Sequence, residues 1–328
     1  MGCPRRVAVL ALFAILAVSA CNGAGERAGG SGRPATTREC PPGSSREPAD
    51  GDVVTLFHET HTHGNLAGAF ARYVGLRNAL RSCLPEPANS LFLGNGDDIS
   101  PTLGGVRTDG QHTIDAFNAA GFDANTFGFS ETELVAVLRE RVAASRFTWV
   151  SANVREGDSP DEVFAFAQGA RPWIIKELAG VRVGITGLRG VTFSPGQPPL
   201  GEEEGVRVVD EVKAMKQVLQ QMHAAGAQIV VLLSHMIHED TLRVVRSVEG
   251  IDVALGTHLG DATLQPEIVN GSIVAVAGPH DLQGLRQLDL TIRDGQIVDY
   301  AFRRHIPSAT GPVDREVEAV LARYLRGS

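Results

Sequence analysis

The sequence predicts an α/β protein built as a layered β-sandwich flanked by helices, in the order α/β/β/α. Three observations predict it. Apolar, β-branched runs alternate with helical patterns from Val53 onward. Two tight hairpins, across Ala179-Gly180 and Asp294-Gly295, fall in the second half of that stretch. From Asp52 the chain has about 275 residues left, enough for one large domain, and no internal repeat or second low-complexity linker divides it.

Taken in order, Val53–Phe57 reads as a strand and Ala69–Cys83 as a helix. Ser90–Leu93 is a second short strand. Thr113–Ala120 and Glu131–Ala144 read as helices, followed by a strand over Thr148–Ala152. Trp173–Leu178 and Val181–Gly187 form the first hairpin. Val209–Ala225 is helical, Ile229–Ser234 is apolar throughout and so buried on both faces, and Val253–Leu255 is another strand. Ser272–Ala277, Gln287–Ile292 and Ile297–Arg303 close the sheets, and Val313–Arg326 is a terminal helix.

The N-terminus reads as an export signal. Arg5 and Arg6 precede the apolar run Val7–Val18, which is too short for a spanning helix, and Ser19-Ala20 forms a small-residue cleavage site. The two arginines lack the rest of a twin-arginine signal, so Sec export is expected. Val18-Ser19-Ala20-Cys21 resembles the bacterial lipobox, which makes Cys21 the expected lipidation site. Residues 21–51 are rich in Gly, Ser, Pro and Arg and cannot bury enough apolar surface to offset their ordering entropy. They form a tether of about 30 residues. The expected organisation is a signal peptide over 1–20, the lipidated cysteine and tether over 21–51, the domain over 52–306, and a linker and helix over 307–328. Asn22, where enteric bacteria use aspartate to retain lipoproteins at the inner membrane, favours outer-membrane anchoring facing the periplasm in a Gram-negative host.

The formal net charge is −8, and removing Arg5 and Arg6 makes it more negative. That excludes nucleic acid as a partner, since backbone binding needs concentrated positive charge. With Cys3 and Cys21 accounted for, Cys40 and Cys83 remain as a candidate disulfide in an oxidising compartment; the alternative is two unpaired thiols.

The chemistry gathers at strand ends. His58, His61, His63, His235, His238, His258 and His280 all lie just beyond the C-terminal end of a predicted strand, where open α/β sheets bind ligands. Neutral imidazoles that converge on one crevice suit a cation, and an imidazole-rich set favours zinc or a manganese-like ion over magnesium. His112 is read instead as a helix residue away from the crevice.

The loops also form an ordered series. LFHETHTHGNL, GNGDDISPTL, GQHTIDAFNAAGFDANTFGFSETEL, IVVLLSHM, IDVALGTHLGD and GLRQLDLTI follow one another at fitting separations. This series resembles the 5′-nucleotidase and UDP-sugar hydrolase family of metallophosphoesterases over about Val53 to Arg303, with that family's second, substrate-binding domain expected to be absent. The resemblance implies hydrolysis of small phosphate esters or nucleotides at one or two divalent ions. It implies His61, His63, Asp97, His235 and His258 as the metal ligands, with Asp97 bridging.

Departures from the family pattern cluster on function. His61 replaces an aspartate, Phe129 and Ser130 replace the asparagine and histidine of G-N-H-E, and Gly260 replaces the second histidine of G-G-H-x-H. Glu131 matches the motif glutamate, and Glu133 stands where the family has aspartate. The catalytic positions therefore fall on Ser130 and Glu133, with His280 a candidate substitute acid; Asp98, Glu131 and Asp261 are further groups that could offset the lost carboxylate. Two readings stay open: a phosphoester hydrolase with a rearranged, weakened site, or a lipid-anchored metal- or ligand-binding pseudoenzyme. A third makes the histidines incidental.

Overall fold

The computed structural model describes residues 40–41, 51–59, 61–159, 161–194, 205–258, 263–276, 282 and 284–326. The leader, Cys21 and nearly all of the tether lie outside the described residues. The chain runs through β1 (Asp52–His58), α1 (Phe70–Arg81), β2 (Ser90–Leu93), and the small ribbon β3 (Thr102–Leu103) and β4 (Val106–Arg107). It continues with α2 (Gln111–Ala120), β5 (Ala124–Asn125), α3 (Phe129–Glu133), α4 (Val135–Ala144), β6 (Thr148–Trp149) and β7 (Val154–Glu156). Next come β8 (Trp173–Leu178), β9 (Val181–Arg189), β10 (Val206–Val208), α5 (Glu211–Ala224), β11 (Ile229–His235) and α6 (His238–Ser247). Last are β12 (Val253–Thr257), β13 (Glu267–Val269), β14 (Ser272–Val276), β15 (Leu285–Arg293), β16 (Gln296–His305) and α7 (Arg315–Leu325).

Two six-stranded sheets result, ordered β16-β15-β1-β2-β5-β6 and β13-β14-β12-β11-β9-β8. The pattern of side chains explains why they stack. In β11, Ile229, Val231 and Leu233 join a core shared with Val54, Leu56, Leu91 and Leu288 of the first sheet. Val230 and Leu232, on the opposite face, pack with Met215, Val218 and Val244 of α5 and α6. A strand buried on both faces needs no polar alternation, which is why its sequence is apolar throughout. The other face of the first sheet packs Phe57, Phe92 and Trp149 against helices α1, α2, α4 and α7. Each such side chain contributes about 1.5–3 kcal/mol relative to exposure. The order is α/β/β/α, as expected from the sequence.

Four local differences from the sequence reading have physical causes. The helix expected over Glu131–Ala144 is two helices, because α3 begins at Phe129 and the backbone of Leu134 (φ −104°, ψ 30°) leaves the helical region between them. The strand expected over Thr148–Ala152 stops at Trp149, since the chain then crosses between sheets and the Ala152 N–H donates to Gly187 O at 2.7 Å. Helix α6 was not anticipated, although Thr241, Val244 and Val245 are spaced to bury one helical face. The terminal helix is part of the first core: Val317, Val320 and Leu321 are buried there, Asp314 caps α7 by accepting from the Val317 N–H at 2.9 Å, and the chain before it runs so close to Gly75 that a side chain there would meet Pro312 O. Among the described residues no helix is long and apolar enough to cross a membrane.

Cys40 and Cys83 are joined by a disulfide that links the start of the described chain to the end of α1 across a separation of 43 residues. Closing a loop of that length stabilises the fold by about 4 kcal/mol in the chain-entropy account. Reduction should therefore lower the melting temperature by roughly 10 °C. Cys83→Ser should show the same loss and no further response to reductant in thermal melts; an unchanged melting temperature would contradict this.

Candidate metal centre

The strands β1, β2, β11 and β12 run parallel within their sheets and deliver their C-terminal ends to one region. The loop after β2 brings Asp97 there in a left-handed conformation (φ 56°), and His63 (φ 49°) and His258 (φ 139°) also have positive φ. Residues with a Cβ occupy that region at a cost and persist where the surroundings impose it.

Glu131 is the main source of that imposition. Its buried carboxylate accepts from four backbone amides. Oε2 takes the N–H groups of Asp97 (2.8 Å) and Gly128 (2.7 Å), and Oε1 those of Asp98 (2.8 Å) and Ile99 (3.1 Å). Burial and the nearby Asp97 push the Glu131 carboxyl up, against amides that favour the anion. Gly128 completes the fit, because a side chain there would run into the Asp97 amide and carboxylate. The Ser130 N–H then donates to Asp97 Oδ1 at 2.7 Å, and the His63 N–H to Asp97 O at 2.7 Å.

Two buried imidazoles face the other carboxylate oxygen. His235 donates from Nδ1 to Asn95 O at 2.8 Å, which turns Nε2 toward Asp97 Oδ2 at 3.1 Å. His258 donates from Nε2 to Phe193 O at 2.7 Å and places Nδ1 4.0 Å from the same oxygen. Backbone carbonyls thus set both tautomers, the usual way of orienting ligating histidines. One donor atom from each of Asp97, His235 and His258 lies within 4.8 Å of the others. Burial works to raise the Asp97 carboxyl, yet His235 and the Ser130 amide hold it well below the usual carboxylate range. For His235 burial works downward, but Asp97 outweighs it and the imidazole is raised. Burial, with the positive field of His235, lowers His258 to about 4 and His61 to about 3, so both are neutral at pH 7 with a lone pair to give. A nitrogen lone pair and a carboxylate 3.1 Å apart in a dry site need a proton or a cation between them. One carboxylate and two imidazoles with fixed tautomers suit a zinc-like ion.

The remaining sequence candidates are placed differently. His61 is buried next to this group, its ring 5.9 Å from that of His235, but outside the converging donors. His63 is exposed, but its ring lies edge to face against that of His61 with centroids 4.8 Å apart, and its N–H serves Asp97. Asp98 and Glu131 do not replace the lost carboxylate, because both are spent on structure: Asp98 accepts from Thr62 N and Oγ1 (both 3.0 Å) and from Asn125 Nδ2 (2.8 Å). Phe129 is buried, with its ring 4.8 Å from His258 and 5.5 Å from His235 and the Arg189 guanidinium 4.3 Å over it. The Ser130 hydroxyl is buried without a hydrogen-bond partner among the described residues, and Glu133 is exposed at the end of α3. His238 opens α6 and bonds Glu267 at 3.1 Å instead of facing the centre. His112, read as remote, lies against the histidine loop, with Nε2 3.0 Å from Gly64 O. His280, Gly260 and Asp261 lie outside the described residues. Sequence reasoning missed Asn95 and Phe193, whose parts are played by main-chain carbonyls that leave no side-chain signature.

The clamp predicts a sharp response to one atom. Glu131→Gln keeps size but points an amide at N–H donors, and should cost roughly 3 kcal/mol through unpaired buried amides. Metal content should fall with stability, measured by thermal melts and elemental analysis of the same preparations. Wild-type metal content in a folded Glu131→Gln variant would contradict the clamp.

No family model matches the chain. It is 29% identical over 204 residues to a probable 5′-nucleotidase of Treponema pallidum, covering 61% of this chain and 33% of that protein. It is 26% identical over 280 residues to the trifunctional nucleotide phosphoesterase YfkN of Bacillus subtilis, covering 75% of this chain and 18% of that one. The chain therefore spans a third or less of the length of these curated relatives. The solved structure of calcineurin-like phosphoesterase YfkN superposes with a TM-score of 0.67 over 84% of this chain and 97% of that one, at 19% identity. The sulfate thiohydrolase SoxB of Thermus thermophilus does so at 0.68 over 86% and 62%, at 20% identity. Likeness at such identities speaks for the fold. Sequence relatives that are 5′-nucleotidases and nucleotide phosphoesterases, together with the fold of a calcineurin-like phosphoesterase, support placing the chain with the 5′-nucleotidase family of calcineurin-like metallophosphoesterases.

Proposed function

We propose that the protein is a metal-dependent phosphoester hydrolase that acts on small phosphate esters outside the cytoplasm. The observation that carries this reading is the convergence of Asp97, His235 and His258, with both imidazole tautomers set by carbonyls of Asn95 and Phe193. These three residues would hold a divalent cation, which would supply Lewis-acid polarisation of a phosphoryl oxygen. Asp97 gives the anionic charge and the two histidines give neutral donors. His61, neutral and buried beside them, is the fourth residue at hand. Among the described residues no second set of donors converges: the Phe129 ring packs against both histidines where the family pattern has an asparagine, and an apolar ring neither donates nor accepts. The relatives' names support nucleotides as a substrate class.

The leaving-group side has a different character. Ser130 stands where the pattern has histidine, and a hydroxyl of ordinary acidity is a poor proton donor to a departing alkoxide. Esters whose leaving group departs unprotonated are therefore favoured. A second reading, metal binding without turnover, is favoured by the same Phe129 ring. Export and anchoring through Cys21 rest on Val18-Ser19-Ala20-Cys21 and the tether behind it; Cys21→Ser should move the protein from membrane to soluble fractions.

Metal analysis with a phosphatase screen tests the reading. Asp97→Ala should lose metal and activity together, while His223→Ala, near the opposite ends of the strands beside Gly250, should lose neither. Nitrophenyl phosphate should be cleaved about 100-fold or more faster than a nucleoside monophosphate, the usual worth of a missing general acid. Phe129→Asn with Ser130→His should raise the nucleotide rate more than the aryl phosphate rate. Equal wild-type rates on both substrates would show that another group donates the proton. Absence of any phosphatase activity in metal-loaded protein would favour the binding reading.

A further inference from the structure

The loop after β9 reaches the metal centre and is held at several points. The Gly190 N–H donates to His235 O at 2.8 Å, and the Val191 N–H donates to Glu211 Oε1 at 3.0 Å. Glu211 is buried and is braced in turn by Arg243 at 3.2 Å. Two residues on, Phe193 accepts from His258 Nε2 through its carbonyl. Its ring meets His258 and Phe129 edge to face, at 5.1 Å in each case. Those neighbours are almost fully buried, yet Phe193 keeps 41% of its surface exposed.

A large aromatic left in water costs free energy and needs no such bracing if it is only loop. Here the Phe193 carbonyl is held by His258 and the two anchored residues Gly190 and Val191 lie just before it, while the ring stays partly open beside that histidine. A phosphoryl group bound at Asp97, His235 and His258 would carry its organic substituent past that ring. Aromatic groups favour partners at ring separations of about 4.5–7 Å, and the ring is already within that range of the histidine.

We propose that Phe193 is a specificity-determining residue: the exposed side of its ring receives an aromatic or flat substituent esterified to the phosphoryl group held at the metal centre. This rests on the hydrolase reading for the position of the phosphoryl group. The occupant is an aryl or nucleobase-bearing phosphate, in preference to a small alkyl phosphate. Phe129 supports the ring from behind and does not itself meet the substrate, since it is 2% exposed.

Calorimetric titration of the metal-loaded full chain with phenylphosphonate and methylphosphonate tests this without relying on turnover. Wild-type protein should bind phenylphosphonate about tenfold more tightly, in keeping with stacking on one aromatic side chain. Phe193→Ala should bring the two affinities together by weakening phenylphosphonate alone. Phe193→Tyr should keep the preference and show that the loop is still folded. An unchanged preference in Phe193→Ala, or an equal loss for both phosphonates, would overturn the proposal. Neither probe is hydrolysed, so a protein that shows the preference but no phosphatase activity would sink the hydrolase reading and leave the subsite. An active protein lacking the preference would do the reverse.

Discussion

The carboxylate of Glu131 gathers four backbone amides, and the metal centre depends on that one group. Asp97 can hold its left-handed backbone only because its own amide and those of its two successors are bound there. Once Asp97 is placed, Oδ1 is taken by the Ser130 amide and Oδ2 is left for the histidines. A buried carboxylate with fewer donors would cost several kcal/mol and would neutralise instead. The same side chain turns one face of α3 to the loop after β2, while α4 packs Leu138 and Val142 into the first core.

Much of this was legible in the sequence, for reasons that differ by element. The apolar β11 could only be a strand buried on both faces, and the hairpins were marked by Ala179-Gly180 and Asp294-Gly295, whose positive φ values (50° and 73°, 51° and 76°) are those of tight primed turns. Strands of two or three residues, such as β5, β6, β7 and β10, are too short to display a period. That Asp97, His235 and His258 come together was legible because strand ends fix where such residues arrive. The positive φ of His63 (49°), by contrast, is something that spacing does not reveal. Glu131 was visible as a matching letter in a motif, but its role as an acceptor of main-chain amides required the loop to be seen. Cys21 and His280 lie outside the described residues.

The fold is that of calcineurin-like phosphoesterases, while the surroundings of Phe129 are apolar and aromatic. Phe129 has a guanidinium stacked on its ring and an exposed phenylalanine at its edge. The fold is shared with a protein described as a sulfate thiohydrolase, so the sheets alone do not select a reaction. What selects it is the set of donors at the strand ends, and among the described residues the converging set has one carboxylate and two imidazoles.

The central claim is that this scaffold holds a single cation at Asp97, His235 and His258. Anomalous diffraction from crystals of the zinc-loaded protein tests it most directly. The account predicts one peak per chain, bonded by an Asp97 carboxylate oxygen, His235 Nε2 and His258 Nδ1, with Nδ1 of His235 still donating to Asn95 O. Two peaks of equal height on either side of Asp97, or a cation bound elsewhere with these three residues unchanged, would contradict it.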